Sequence, residues 1–492
     1  MSSDNPPATN ARGWVRVLIA FVIAFDVAAF FQWADGAFQS EFGGHVEEAQ
    51  NFLSALRTRD ALVRAPDREG AAAENHAAPQ PERRRGFPRA LGAWMAVFGT
   101  SRIAVLLFMA ALAAATTALI FHTVHRESGM WAAVVASLLW FCAPAVRESF
   151  ETLLPEQLTA FVLTGAALLW AQMMNARSTA APKWIGVAAL LGVVCVLAAA
   201  GAQAVKIAPG DPRAAGVFLR ECVSVLGIAA TAFAIAGAVI RPRSEKHADV
   251  VRVAMLALIA GVLIARWLKS GIADVRVLIV ATPALAILAV RGAVAFAGIV
   301  GSQALAPAVA SRRRSLWVFL LLLLALPTDL LHAWQKDWRG FGAIALTLVE
   351  ESRGPARVLV VSDPRGEGMF AAEIAMRDRE RLITVERGSV TLVELPAESG
   401  GVDPRAKPQE RFADDRDLLA YLISGRIRHI VLDSAVPYEA HAGYHDQVRR
   451  VVEGNVGNFW PTHDSVIIRG GELQGRPLKI YRVILPDSVE VP

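Results

Sequence analysis

Charge is scarce in this chain: 19% of its 492 residues are Asp, Glu, Lys or Arg, where soluble proteins carry about 25%. The deficit is concentrated in long apolar runs, and mean hydropathy is +0.39. A single soluble domain is thereby excluded. Cysteine is scarcer still, with Cys142, Cys195 and Cys222 all inside apolar runs, so neither a disulfide framework nor a cysteine metal site is indicated. Histidines and carboxylates nowhere show metal-ligand spacing, and no metal or other cofactor is expected. No GxGxxG fingerprint is present, and no partnership with nucleic acid is read. Paired broken helices and internal repeats of the transporter kind are also missing.

What the chain has is apolar runs of membrane-spanning length. They fall at residues 14–33, 103–121, 131–146, 153–173, 184–204, 217–240, 250–268, 277–300 and 316–334. The first lacks a following small-residue cleavage site and reads as a retained span. The expected fold is a polytopic α-helical membrane protein of about nine spans. Residues 91–98 are too short to add another.

Charge orients these spans. With residues 1–13 in the cytoplasm, Arg12, Arg126, Arg177, Lys183, Arg241, Arg243, Lys246 and Arg312 to Arg314 fall inside, while Arg147, Lys206, Arg213 and Lys269 lie in outer turns. Positive residues favour the cytoplasmic side, so the C-terminal segment is expected outside. The expected division is a transmembrane bundle over 14–334, which includes an outer loop at 35–100, and an extracytoplasmic α/β domain over 335–492. That tail alternates short apolar runs (358–361, 429–432, 478–483) with helical patterns (369–376, 418–422, 448–452), the sign of a small α/β domain. Within the outer loop, residues 66–88 are rich in Ala, Pro, Glu and Arg and have little to pack. Asp26, in the first span, is expected to face the bundle interior or to be protonated, because an unpaired charge in lipid is costly.

The segment after the first span carries the candidate chemistry. In EFGGHVEEAQNFLSALRTRDALV, residues Val46, Ala49, Leu53, Leu56 and Val63 recur at helical spacing, predicting an amphipathic helix over 46–63 that lies in the outer interface. Gly43 and Gly44 break the chain before it. Glu47 and Glu48 then fall in its first turn, where the helix dipole favours ionised acid. By spacing alone they are either a general base at the membrane surface or ordinary first-turn acids. The loop DPRGEG (363–368) follows an apolar run as a phosphate-cradling turn would, without the glycine spacing. DDRD (414–417) reads as the acidic start of a helix.

An acid pair opening a helix directly after the first span, then a long outer loop and a multi-span bundle, resembles the GT-C superfamily of membrane glycosyltransferases. The likeness is to the protein mannosyltransferase and aminoarabinose transferase type, and most to uncharacterised bacterial members. EEAQNFLSALRTRDAL (47–62) follows that group's DEAxHxxxGLxxRDYL-like segment, with Glu47 where relatives have aspartate. WMAVFGTSRIAVLLFMAALAA (94–114), LLPEQLTAFVLTGAALL (153–169) and ADVRVLIVATPAL (273–285) are similar to further elements of the group. The HxPP-like element of relatives is replaced by ERRRGFPRAL (82–91), and the arginine-tyrosine pair by Arg276 and Val277.

The resemblance implies an inverting enzyme of a bacterial inner membrane. It would pass a hexose or pentose from a polyprenyl-phosphate sugar to a glycan, lipid or protein acceptor on the outer face, using no nucleotide. Glu47 matches the catalytic base and Glu48 its neighbour. Lys206 and Arg276 match cations that hold the lipid phosphate, and Glu156 matches a second acid. The competing expectation is a catalytically inactive GT-C-like scaffold or lipid-glycan-binding protein of the envelope.

Overall fold

The computed structural model describes residues 9–42, 46–63, 86–175, 214–240, 246–268, 276–300, 339–352, 354–394, 409–463 and 476–484. Its contacts divide the chain into two compact units. One comprises Met1–Ala34 and Leu107–Trp334, the other Asp35–Leu106 and Gln335–Pro492.

The first unit is helical and apolar. It contains α1 (Thr9–Ala34), most of α4 (Arg102–Ser128), α5 (Met130–Phe141), α6 (Pro144–Glu151), α7 (Glu156–Asn175), α8 (Ala214–Val239), α9 (Lys246–Leu268) and α10 (Arg276–Val300). A helix pairs its own backbone groups internally, which is what a segment in lipid requires. Among the described residues, four helices are long and apolar enough to cross a membrane: Gly13–Ala34, Arg102–Ser128, Glu156–Met174 and Leu278–Ala297. The count is five where the bent pair of α5 with α6 is taken as one broken span. The expected runs at 217–240 and 250–268 are helical, with shorter described apolar stretches at Ile228–Val239 and Val250–Leu263. Those at 184–204 and 316–334 lie outside the described residues.

The expectation of one straight span over 131–146 is corrected. The helix axis turns by 65° between Phe141 and Pro144. Pro144 has no N–H to donate and its ring excludes a preceding helical turn, so α5 ends and α6 begins with proline in its first turn. At the elbow Phe141 and Ala143 are buried, and Cys142 and Pro144 half-buried. Gln32 donates to the Phe150 carbonyl, Gln157 donates to Ser149 Oγ at 2.5 Å, and the Arg147 guanidinium lies 4.6 Å over the Phe31 ring.

Helix α10 is central to this unit and packs on α5, α6, α7, α8 and α9. It meets α8 backbone to backbone, because Gly237 and Gly292 face each other at the crossing. A Cβ on Gly292 would stand 1.9 Å from the Phe233 carbonyl oxygen, and one on Gly237 2.0 Å from that of Leu288. Small residues permit such approach between membrane helices. Asp26 departs from expectation: it is exposed on α1, and an unpaired aspartate at a span's centre costs roughly 2.5–3.5 kcal/mol.

The second unit unites two distant parts of the sequence. Helices α2 (Val46–Val63) and α3 (Gly86–Phe98) pack on each other, and α2 also packs on α12 (Pro364–Arg377) of the tail. The predicted bounds of α2 hold, but its environment differs. Instead of one apolar face open to lipid, α2 is flanked by α3 and α12 and buries Glu48, Asn51, Phe52 and Leu56. By its contacts, Asp35–Leu106 groups with Gln335–Pro492.

The tail contains α11 (Phe341–Glu351), β1 (Ala356–Val361), α12, β2 (Ile383–Arg387), α13 (Gly388–Thr391), β3 (Val393–Glu394), β4 (Gln409–Glu410), α14 (Asp415–Ser424), β5 (Ile427–Asp433), α15 (Gly443–Gly454), β6 (Phe459–His463) and β7 (Leu478–Val483). Five strands form a sheet in the order β2-β1-β5-β7-β6. β1 is parallel to β2 and β5, and β7 is antiparallel to β5 and β6. Alternate residues Leu359, Ile430 and Tyr481 join Leu418 and Val448 of α14 and α15 in one core. Helix α14 opens as expected on its acids, with the Asp414 carboxylate accepting from the Arg416 and Asp417 amides at 2.9 and 2.8 Å.

Candidate functional site

Glu47 and Glu48 occupy the first turn of α2, and burial distinguishes them: Glu48 is fully buried and Glu47 only partly. A group that must meet a diffusing acceptor needs access. Of the pair, Glu47 is the part-exposed one. Phe42 and Phe52 stack at 5.0 Å and secure the approach to this helix, while Ala49 beside the acids abuts Gly368 of α12. The acid pair therefore sits on a helix held by packing on two sides.

A buried ionic network fixes the chain just before it. Glu41 accepts the backbone N–H of Arg339 at 3.0 Å and of Gly342 at 2.7 Å. These amides open α11, whose N-cap Gly340 (φ 85°) has no side chain to cap with. A carboxylate from elsewhere in the chain supplies the missing acceptor. Burial pushes the Glu41 pKa up to about 7, reinforced by the Glu373 charge and opposed by the two amides and Arg102. Glu373, itself fully buried, pairs with both Arg102 and Arg377. Arg339 reaches Asp363 at 2.6 Å, and Arg381 reaches Asp60 on α2 at 3.4 Å. These charges pair with one another. Their chemistry is to hold segments together.

The turn after β1 has the strand-turn-helix form expected of DPRGEG, but acids fill it. Asp363 caps α12 by accepting from Gly366 N–H at 2.8 Å, and Ser362 donates to Asp433 at 2.7 Å. Glu367 accepts from the Ser389 amide and hydroxyl; burial raises its pKa to about 7 against those bonds and the Arg387 charge. A phosphate here would meet carboxylates where it requires N–H groups.

The structure places the other expected residues as follows. Glu156 is the first residue of α7, part-buried, in the helical unit. Arg276 opens α10, with its side chain outside the described residues, and Lys206 lies outside them altogether. The structure thus brings Glu47 and Glu48 together on one turn. Sequence reasoning missed Glu41, Arg102, Arg339 and Glu373, which come from four separate segments; no local spacing marks them. Among the described residues, no group of three His, Cys, Asp or Glu could hold a metal ion.

No protein-family model matches the sequence, and no curated protein matches it. Solved structures similar to the chain include an arabinofuranosyltransferase and ArnT. Arabinofuranosyltransferase AftD from Mycobacteria is 14% identical, with a TM-score of 0.43, over 95% of this chain; the chain spans 40% of that protein's length. ArnT from Cupriavidus metallidurans in the apo state is 10% identical, with a TM-score of 0.47, over 96% of this chain and 99% of that one.

Proposed function

We propose that this protein is a membrane glycosyltransferase that passes a sugar from a polyprenyl phosphate to an acceptor on the outer face of a bacterial inner membrane. The observation that carries this reading is the acid pair on the first turn of α2, reached directly after the membrane-length helix α1, with Glu47 part-exposed and its helix packed on α3 and α12.

In the proposed step the Glu47 carboxylate takes the proton of an acceptor hydroxyl as that oxygen attacks the anomeric carbon. The bond from that carbon to the phosphate oxygen breaks, configuration inverts, and polyprenyl phosphate departs with the bonding electrons. A positioned base of this kind contributes about a hundredfold or more. Buried Glu48 acts as a positioning residue, and Glu47 stands in the first turn of α2, where a helix dipole favours acidic side chains. Lys206 and Arg276 are assigned to the lipid phosphate, whose charge calls for charge-assisted bonds, and Glu156 to the second acid. The reading includes a cytoplasmic N-terminus, an outer C-terminal unit and nine spans.

The test is turnover of labelled polyprenyl-phosphate sugars by membranes containing this protein. Release of polyprenyl phosphate that depends on the protein supports the reading. Binding of the sugar lipid without any release replaces it with an inactive lipid-glycan-binding scaffold.

A further inference from the structure

Helix α1 differs from the other membrane-length helices in how little of it the chain covers. Only 11% of its apolar window is buried, against 72% for Arg102–Ser128 and 83% for Leu278–Ala297. Its outward stripe carries Leu18, Val22, Phe30 and Trp33, all exposed. Lipid tails satisfy such side chains without help.

They do not satisfy Asp26. This residue lies on the same stripe, four residues after Val22 and four before Phe30, hence one turn from each. It falls about 4 Å from the midpoint of Gly13–Ala34 along the axis. Asp26 is exposed and has neither hydrogen bond nor ion pair among the described residues. Ionisable residues at this depth ordinarily find a counter-charge or a polar partner.

Four described bases of the helical unit are engaged elsewhere, Arg16 with His125 among them. Arg147 pairs with Glu151 and lies over Phe31, Arg291 pairs with Glu127, and Arg252 donates to the Ala238 carbonyl. The chain's own apolar runs at 184–204 and 316–334 contain no lysine or arginine. We infer that the outward face of α1 docks a membrane-spanning helix of another protein, one that carries a lysine or arginine at the depth of Asp26. The apolar stripe supplies the packing surface, and the carboxylate selects the partner and fixes its register along the helix axis.

A photo-crosslinking amino acid placed at Val22, and separately at Phe30, in the full chain in its native membranes tests this. The expected product is an adduct with one membrane protein, whose crosslinked peptide maps to a span bearing a lysine or arginine at matching depth. Asp26→Leu, chosen because leucine suits a membrane helix, should lower adduct yield about tenfold. Asp26→Lys, paired with an aspartate at the partner's basic position, should restore it. Adducts with lipid alone, with a second copy of this chain or with its own apolar runs would overturn the inference, as would a yield indifferent to Asp26→Leu.

Discussion

The Glu41 carboxylate accepts the backbone N–H of Gly342 at 2.7 Å, across 301 positions of sequence. One acid just past the first membrane-length helix thereby caps the helix that opens the tail. The contact explains why Asp35–Leu106 and Gln335–Pro492 form one unit. Glu41 is thereby committed to structure.

The first prediction concerns pH. Glu41 and Glu367 are both raised from 4.5 to about 7, so between those values the folded protein holds protons that the unfolded chain releases. Their contribution to stability is complete below pH 4.5 and is lost as pH rises through 7, at roughly 1.4 kcal/mol per pH unit for each group. Thermal midpoints in detergent should therefore fall less steeply across this window in Glu41→Gln than in the wild type. Parallel slopes would contradict the assignment.

The second concerns the ionic network. Arg102→Met leaves fully buried Glu373 with Arg377 as its remaining ion pair, and Arg339→Met takes the ion-pair partner from Asp363. Breaking a buried pair from one side costs about 3–5 kcal/mol. Each variant should show a markedly lower unfolding midpoint, with proteolysis beginning in 35–106 or the tail.

The third concerns the α8–α10 crossing. Gly292→Val places a branched side chain where even a Cβ would stand 1.9 Å from the Phe233 carbonyl oxygen. Overpacking of this kind costs about 1–3 kcal/mol or more. The yield of monodisperse protein in detergent should drop sharply, and Gly237→Val should behave alike; wild-type yield in both would refute the crossing.

Orientation supplies the fourth. A reporter active only in the periplasm, fused after Trp338, should be active if the proposed nine-span threading holds. A reporter active only in the cytoplasm, fused at the same point, should stay silent.

Much of this architecture was legible because apolar length and periodicity are local properties. The bounds of α2, the helix at Arg102–Ser128 and strands β1, β5 and β7 follow from runs of neighbouring residues. The elbow at 142–143 had a visible sign in Pro144, which the length of the run 131–146 outweighed. β2 was missed because ITVER reads as a mixed segment; only pairing with β1 makes it a strand. Glu41 was missed because it sits outside any periodic pattern, and its partners lie at 339 and 342. Burial of Glu48 was equally invisible, since α2 contacts a helix more than 300 residues later. Such relationships arise from chain folding and leave no trace in spacing.

The most direct measurement is the transfer rate of a labelled sugar from a polyprenyl phosphate by membranes holding wild-type protein or Glu47→Gln, at equal amounts of folded protein. The account predicts wild-type turnover and a loss of about a hundredfold or more in the variant, with donor binding retained. Undiminished transfer by Glu47→Gln would contradict it.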